Sequence, residues 1–263
     1  MSAHGSAETP SGREIPPPIV PPPVLDTFNH YGYIIGYPDG TIQPEGNITR
    51  AEVATIFFRL LTNESRTQVW STENNFSDVA KEAWYNNAIS TLSNCRIING
   101  YPDGTFKPGG SITRAEFATI AVRFITTDPN SYEGEDKFSD ISDTWARGYI
   151  NLAAELGLIN GYEDGTFRPE QPITRAEAMT IINRLLKRAP EKDHMLDDMI
   201  KWPDNSDTSV WYYEAVQEAT NSHIYNKGDY ETWTEMLEMR DWAALEKEWS
   251  DANSSPSPGD VGE

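Results

Sequence analysis

Three arginines occupy the same place in one pentapeptide, Ile-Thr-Arg-Ala-Glu, at residues 48–52, 112–116 and 173–177. Thr followed three positions later by Glu, ahead of an apolar run, spells a capping box, in which hydroxyl and carboxylate satisfy amides at a helix start. Arg50, Arg114 and Arg175 then fall at the first helical position, where the positive end of the helix dipole disfavours a cation. A single arginine there is commonly a solvated residue whose stem covers apolar surface. Recurrence three times against the dipole points instead to an anion site, where a carboxylate or phosphate would meet a guanidinium fork and free backbone amides. Joint replacement of the three by alanine is expected to abolish anion binding and to leave Tm nearly unchanged.

The other reactive side chains have plainer uses. Thr49, Thr113 and Thr174 with Glu52, Glu116 and Glu177 are consumed as caps, so the paired carboxylates of sugar hydrolysis are not indicated, and the chain does not read as an enzyme. Asp39, Asp103 and Asp164 stand in Asp-Gly turns, where Asp bonds its own backbone and Gly supplies positive φ. The alternating acids of a calcium loop are missing there. Trp84, Trp145 and Trp211 are equivalent residues at helix starts, suited to core or groove-wall packing, with sugar stacking the sharper use. His4, His30, His194 and His223 show no metal-ligand spacing, and the single Cys95 excludes a Cys-based zinc site and an intrachain disulfide. Neither a metal nor a cofactor is expected.

The arginines are positioned by a repeat. GYPDGTIQPEGNITRAEVATIFFRLL from Gly36, GYPDGTFKPGGSITRAEFATIAVRF from Gly100 and GYEDGTFRPEQPITRAEAMTIINRLL from Gly161 align without gaps, with 14 residues from glycine to arginine in each. Each runs from a turn through an extended piece to Pro44, Pro108 or Pro169 and into a capped helix. Val53, Ile56, Phe57 and Leu60 form one apolar stripe, Phe117, Ile120, Ala121 and Phe124 a second, Ala178, Ile181, Ile182 and Leu185 a third. Upstream of the second and third blocks lies another shared half, Phe-Ser-Asp and then a helical pattern on Trp84, Ala88, Ile89 and Leu92, or on Trp145, Tyr149, Ile150 and Ala153. The first block has only a proline-rich run before it. Its missing half is read at residues 202–225, where Asp204 aligns with Asp78 and Asp140 and Trp211 with Trp84 and Trp145. The ring would then close with both chain ends side by side, and the pocket of Arg50 would depend on the far end of the chain.

The expected organisation is a Pro-rich extended segment (1–28) and one domain (29–229). Its first repeat joins 29–62 to 202–225, the second spans 76–126 and the third 138–187. An accessory helical segment (230–251) and a disordered tail (252–263) follow, and 62–75, 126–137 and 187–201 are polar connectors. A formal net charge of -20, from 21 Lys and Arg against 41 Asp and Glu, argues against nucleic acid and anionic membranes. No run of residues is long and apolar enough to insert in a membrane. The N-terminus lacks the apolar centre of a signal peptide, which fits a cytosolic chain or a piece of an exported one.

The FSD…W half, the GYPDGTFKP turn and the ITRAE helix together resemble the S-layer homology (SLH) domain, over roughly residues 29–225. That resemblance implies a mainly α fold: a pseudo-threefold ring of three repeats around a central three-helix bundle, with grooves between units. It implies noncovalent anchoring of exported proteins, at the cell wall of Gram-positive-type bacteria, to anionic secondary polysaccharide often bearing pyruvate ketals. The family's binding arginine falls on Arg50, Arg114 and Arg175. Gly36, Gly100, Gly161, Asp39, Asp103 and Asp164 become candidate groove-lining residues, alongside Trp84, Trp145 and Trp211. The competing reading is a self-assembly or surface-layer partner module that touches no glycan.

Overall fold

A computed structural model describes residues 21–126, 132 and 134–254. Among them the fold is mainly helical, with eight α-helices and one two-stranded hairpin. In chain order these are α1 (Arg50–Leu60), α2 (Asn63–Val69), α3 (Asn86–Asn94), α4 (Arg114–Arg123), α5 (Arg147–Glu155), α6 (Arg175–Leu185), α7 (Tyr213–Thr220), β1 (His223–Lys227), β2 (Glu231–Met236) and α8 (Trp242–Ser254). The expectations for residues 1–20, and for the tail beyond residue 254, lie outside the described residues. The tail's expected start is later than read, because α8 runs to Ser254.

Helices α1, α4 and α6 each open on a complete capping box. The Thr49, Thr113 and Thr174 hydroxyls accept from the amides of Glu52, Glu116 and Glu177, whose carboxylates accept in return from the threonine amides at 2.8–2.9 Å. Ile48, Ile112 and Ile173 are buried just ahead of the caps, and the three apolar stripes are buried apart from half-exposed Phe124. The helices pair as α1 with α3, α4 with α5 and α6 with α7, so each capped helix packs on the next uncapped helix of this set in the chain.

Backbone bonds hand the three capped starts on to one another. Ile48 N donates to Ile173 O, Ile173 N to Ile112 O and Ile112 N to Ile48 O, at 3.4, 3.0 and 3.2 Å. Each of the three isoleucines therefore donates once and accepts once. Beside them, each turn is clamped by one aspartate. Asp78 accepts from Phe106 N and Lys107 N, Asp140 from Phe167 N and Arg168 N, and Asp204 from Ile42 N and Gln43 N, all at 2.7–3.1 Å. The second residue clamped in each pair has a positive φ, 49° at Gln43, 58° at Lys107 and 59° at Arg168. A non-glycine residue holds that conformation only where its surroundings impose it, and the carboxylate accepting two successive amides does so. Asp204 thus serves the first block as Asp78 and Asp140 serve the others.

Two expectations about the flanks change. The connector 62–75 contains α2, opened by Thr62, whose hydroxyl accepts from Ser65 N. Residues 230–251 are not one helical segment: 231–236 form β2, antiparallel to β1, and only 242–254 are helix. Tyr230, Thr232, Trp233 and Thr234 favour a pleated strand once His223–Lys227 offers an edge to pair with. Helix α8 packs on the first repeat, where the buried Trp242 donates to Gly32 O and Trp249 lies edge-on to Phe58.

Candidate functional site: arginine pockets and a groove between repeats

The three arginines are buried, at 3–6% exposure, and each reaches into the next turn of the cycle. Arg50 donates through Nε to Phe106 O at 2.8 Å, through Nη2 to Asn99 O at 2.8 Å and through Nη1 to Glu116 Oε1 at 2.7 Å. Arg114 repeats this with Phe167 O, Asn160 O and Glu177, and Arg175 with Ile42 O, Ile35 O and Glu52. The guanidinium of Arg50 lies 4.7 Å from the Tyr101 ring centroid and 4.5 Å from that of Phe106. Tyr101 donates its hydroxyl to Glu116, as Tyr37 does to Glu52 and Tyr162 to Glu177. Burial raises the Tyr101 and Tyr37 hydroxyls above the ordinary phenol range against the opposing pull of the nearby arginine, so both remain donors.

This geometry explains a cation at a helix start. Each glutamate gives one carboxylate oxygen to its own cap and the other to the arginine of the neighbouring repeat, so the positive charge is offset within the protein. The glutamates are therefore caps and inter-repeat partners together. Removing one member of a buried, hydrogen-bonded pair strands the other, so this geometry argues for a loss of Tm in the triple alanine variant, against the expectation from sequence. The helix amides are not free either. Arg50 N and Ala51 N donate to Gly110 O and Pro108 O, Arg114 N and Ala115 N to Gln171 O and Pro169 O, Arg175 N and Ala176 N to Gly46 O and Pro44 O. Interlocking the repeats uses up the donors that an isolated helix start would offer an anion.

A groove of about 540 Å³ opens beside Arg50. Its walls include Asn99, Gly100 and Tyr101 of the second repeat's turn, Glu116 and Arg123 of α4, and Trp145 at the entry to α5. Guanidinium carries five N–H donors, and the three bonds given above use three of Arg50's. Arg123 adds a second guanidinium, bonded to Ile97 O at 3.1 Å and lying 3.2 Å from the Asn99 side-chain amide. Trp145 is 61% exposed, as Trp84 and Trp211 are at 60% and 65%. These rings therefore leave the apolar stripe their spacing suggested and stand open to solvent.

The remaining candidates divide. Gly100 lines the groove; a Cβ on it would lie 2.3 Å from the Phe76 ring, and one on Gly36 2.3 Å from Trp202. Gly161 meets Phe138 in the same way, so these glycines first admit the aromatic residue that precedes each clamping aspartate. Asp103 does not line the groove. Its carboxylate accepts from Thr105 N and Oγ1, as Asp39 does from Thr41 and Asp164 from Thr166. Those hydroxyl bonds hold Asp39 and Asp103 below the usual carboxylate range; Thr166, with help from Arg168, takes Asp164 to about 2. The dependence on the far end of the chain also moves: Arg50 bonds only the second repeat, whereas Arg175 bonds the turn that Asp204 and Trp202 complete. Sequence reasoning missed Arg123 and Asn99, although Arg59, Arg123 and Arg184 recur at one repeat position.

The S-layer homology domain profile matches residues 29–54, 75–118 and 137–179. The chain is an S-layer homology domain protein. The S-layer homology segments contain all three arginines and the groove wall from Asn99 to Glu116, whereas residues 202–225 lie beyond them. The chain is similar to a cellulosome-anchoring protein of Acetivibrio thermocellus, 37% identical over 202 residues, covering 76% of this chain and 44% of that protein. It is similar to cell surface glycoprotein 1 of the same organism, 37% identical over 209 residues, 74% of this chain and 9% of that protein. An amylopullulanase of Thermoanaerobacterium thermosulfurigenes is 38% identical over 173 residues, 63% of this chain and 9% of that protein. The chain thus spans less than half the length of each of these curated relatives.

Proposed function

We propose that the chain anchors a protein at the bacterial cell surface by holding an anionic cell-wall polysaccharide, pyruvylated at the charged sugar, in grooves between its repeats. The groove beside Arg50 carries the proposal: Arg50, the second cation Arg123 and the exposed indole of Trp145 line it together. A ketal carboxylate fits the guanidinium fork and a sugar face fits the indole. The net charge of -20 disfavours simple polyanions and leaves recognition to these local cations. A portion shared with an anchoring protein, a surface glycoprotein and an amylopullulanase supports an attachment role independent of what is attached. No catalysis is assigned to it.

The proposal includes a pseudo-threefold ring spanning 29–229, in which 202–225 completes the first repeat. The closed cycle of isoleucine bonds and the Asp204 clamp support it. By repeat equivalence Trp211 faces the groove of Arg114 and Trp84 that of Arg175.

Co-sedimentation with purified wall polymer, before and after mild acid removal of pyruvate, tests ligand class and charge together. Binding should be lost with the ketal, weaken with salt, and fall in Trp145→Ala. Equal binding to depyruvylated polymer would overturn the ligand, and concentration-dependent assembly without polymer would favour a protein-partner surface.

A further inference from the structure

Four side chains, one of them distant in sequence from the other three, meet in the interior, away from the groove of Arg50. His30 comes from the segment before the first turn, Glu218 from α7, His223 from β1 and Glu231 from β2, and all are buried. His30 Nδ1 lies 3.2 Å from His223 Nε2, 3.1 Å from Glu218 Oε1 and 3.4 Å from Glu231 Oε1, and His223 Nε2 lies 3.5 Å from Glu218 Oε2. One potential ligand atom from each residue falls within 4.8 Å of the others. Tetrahedral ligands at zinc bond lengths of about 2.0–2.1 Å stand about 3.3 Å apart.

The outer atoms of the cluster are held so that the inner ones converge. His223 Nδ1 lies 3.1 Å from Asn221 O, and as its donor leaves the Nε2 lone pair facing inward. Glu231 Oε2 accepts from Ala189 N at 3.0 Å. Glu218 Oε1, shared with His30, also has Arg188 Nη1 at 3.4 Å. His30 stacks on Tyr225 and His223 on Trp233, each at 3.8 Å between centroids. Yet Glu218 Oε2 and Glu231 Oε1 are buried without a hydrogen-bond partner. One proton on His30 Nδ1 can be given to only one of the three acceptors around it, whereas a central cation satisfies all four residues at once.

We infer that His30, Glu218, His223 and Glu231 form a binding site for one divalent transition-metal ion, with Zn²⁺ best matched to two imidazoles and two carboxylates. The ion would clip the segment before the first turn to α7 and the hairpin.

The test uses the full chain, stripped with a strong chelator and titrated calorimetrically with Zn²⁺, with Co²⁺ as a spectroscopic probe of tetrahedral ligation. The expected result is uptake of one ion per chain and a Tm rise of roughly 5 °C or more at saturating Zn²⁺. Glu231→Gln and His223→Ala should each weaken binding by about 100-fold or more, while His194→Ala leaves it unchanged. Glu231→Gln keeps shape and volume, so it serves if His223→Ala does not fold. No uptake by the stripped chain overturns the site. So does uptake that persists in folded Glu231→Gln, or that disappears with His194→Ala.

Discussion

The pockets of Arg50 and Arg114 differ from that of Arg175, although one pentapeptide builds all three. Asn99 and Asn160 border the first two through side-chain amides beside Arg123 and Arg184; the equivalent residue in the third is the half-exposed Ile35. Arg123 and Arg184 each donate to a backbone carbonyl, whereas Arg59 is bound by Glu246 of α8 at 2.6 Å. The bond to glutamate is longer as well, at 3.1 Å for Arg175 with Glu52 against 2.7 Å for Arg50 with Glu116. Equal motifs therefore do not make equal sites. Two pockets keep a polar rim and a second cation, and the third has Ile35 and an ion-paired Arg59 in their places.

The largest effect expected from that contrast is on closure. A chain ending at residue 200 lacks the Asp204 clamp, the Trp202 ring against Gly36, and α7, whose Ala219 O accepts from Tyr33 N and Ile34 N. It should lose its single cooperative calorimetric transition; a truncated chain melting like the full one would break the contrast at its root.

Next come the buried pairs. Arg50→Ala and Arg175→Ala should each destabilise by roughly 3 kcal/mol, below the top of the range for buried pairs because the carboxylates keep some exposure. Urea titration should give the larger loss for Arg50→Ala, whose pair is shorter and whose Glu116 is less exposed, at 17% against 25% for Glu52. The reverse order would remove the ranking of the pockets.

Smaller again are the exposed indoles. Trp145→Ala and Trp211→Ala should each weaken polymer binding by about 5- to 10-fold, as loss of one aromatic contact does, with stability moved by no more than about 0.5 kcal/mol. Trp84→Ala, facing the altered pocket, should cost less in the same sedimentation assay. Equal losses from all three would mean that the third groove functions despite Ile35 and Glu246.

The smallest effect concerns Cys95, at the end of α3, which packs on α1. Burial raises its thiol to about 11. A raised pKa keeps the thiol protonated below that pH, so at pH 8 only about one part in a thousand is thiolate. Alkylation at pH 8 should be slow in the native chain and should accelerate toward pH 11. In Arg175→Ala the rate at pH 8 reports directly on whether α1 and α3 remain paired.

Much of the frame was legible in the chain because local chemistry writes it. ITRAE spells cap and staple within five residues, Asp-Gly spells the turn, and a 3.6-residue period marks the buried stripe. The aspartate alignment at 78, 140 and 204 anticipated the clamp. Other readings failed because they depended on neighbours. YETWTEM looked helical beside a real helix until β1 supplied a pairing edge, and Trp145 fitted an apolar stripe that the helix enters only after it. The helix-start amides looked free because their acceptors lie more than 50 residues away.

By itself the sequence determined three repeats, their capped helices and turns, and a cationic residue at each helix start, since all of these follow from contacts within a few positions. Tertiary structure decided what those arginines touch, which amides remain open, and that His30 meets His223 across 193 residues. Such meetings depend on how the chain closes on itself, and closure brings together residues that no local spacing relates.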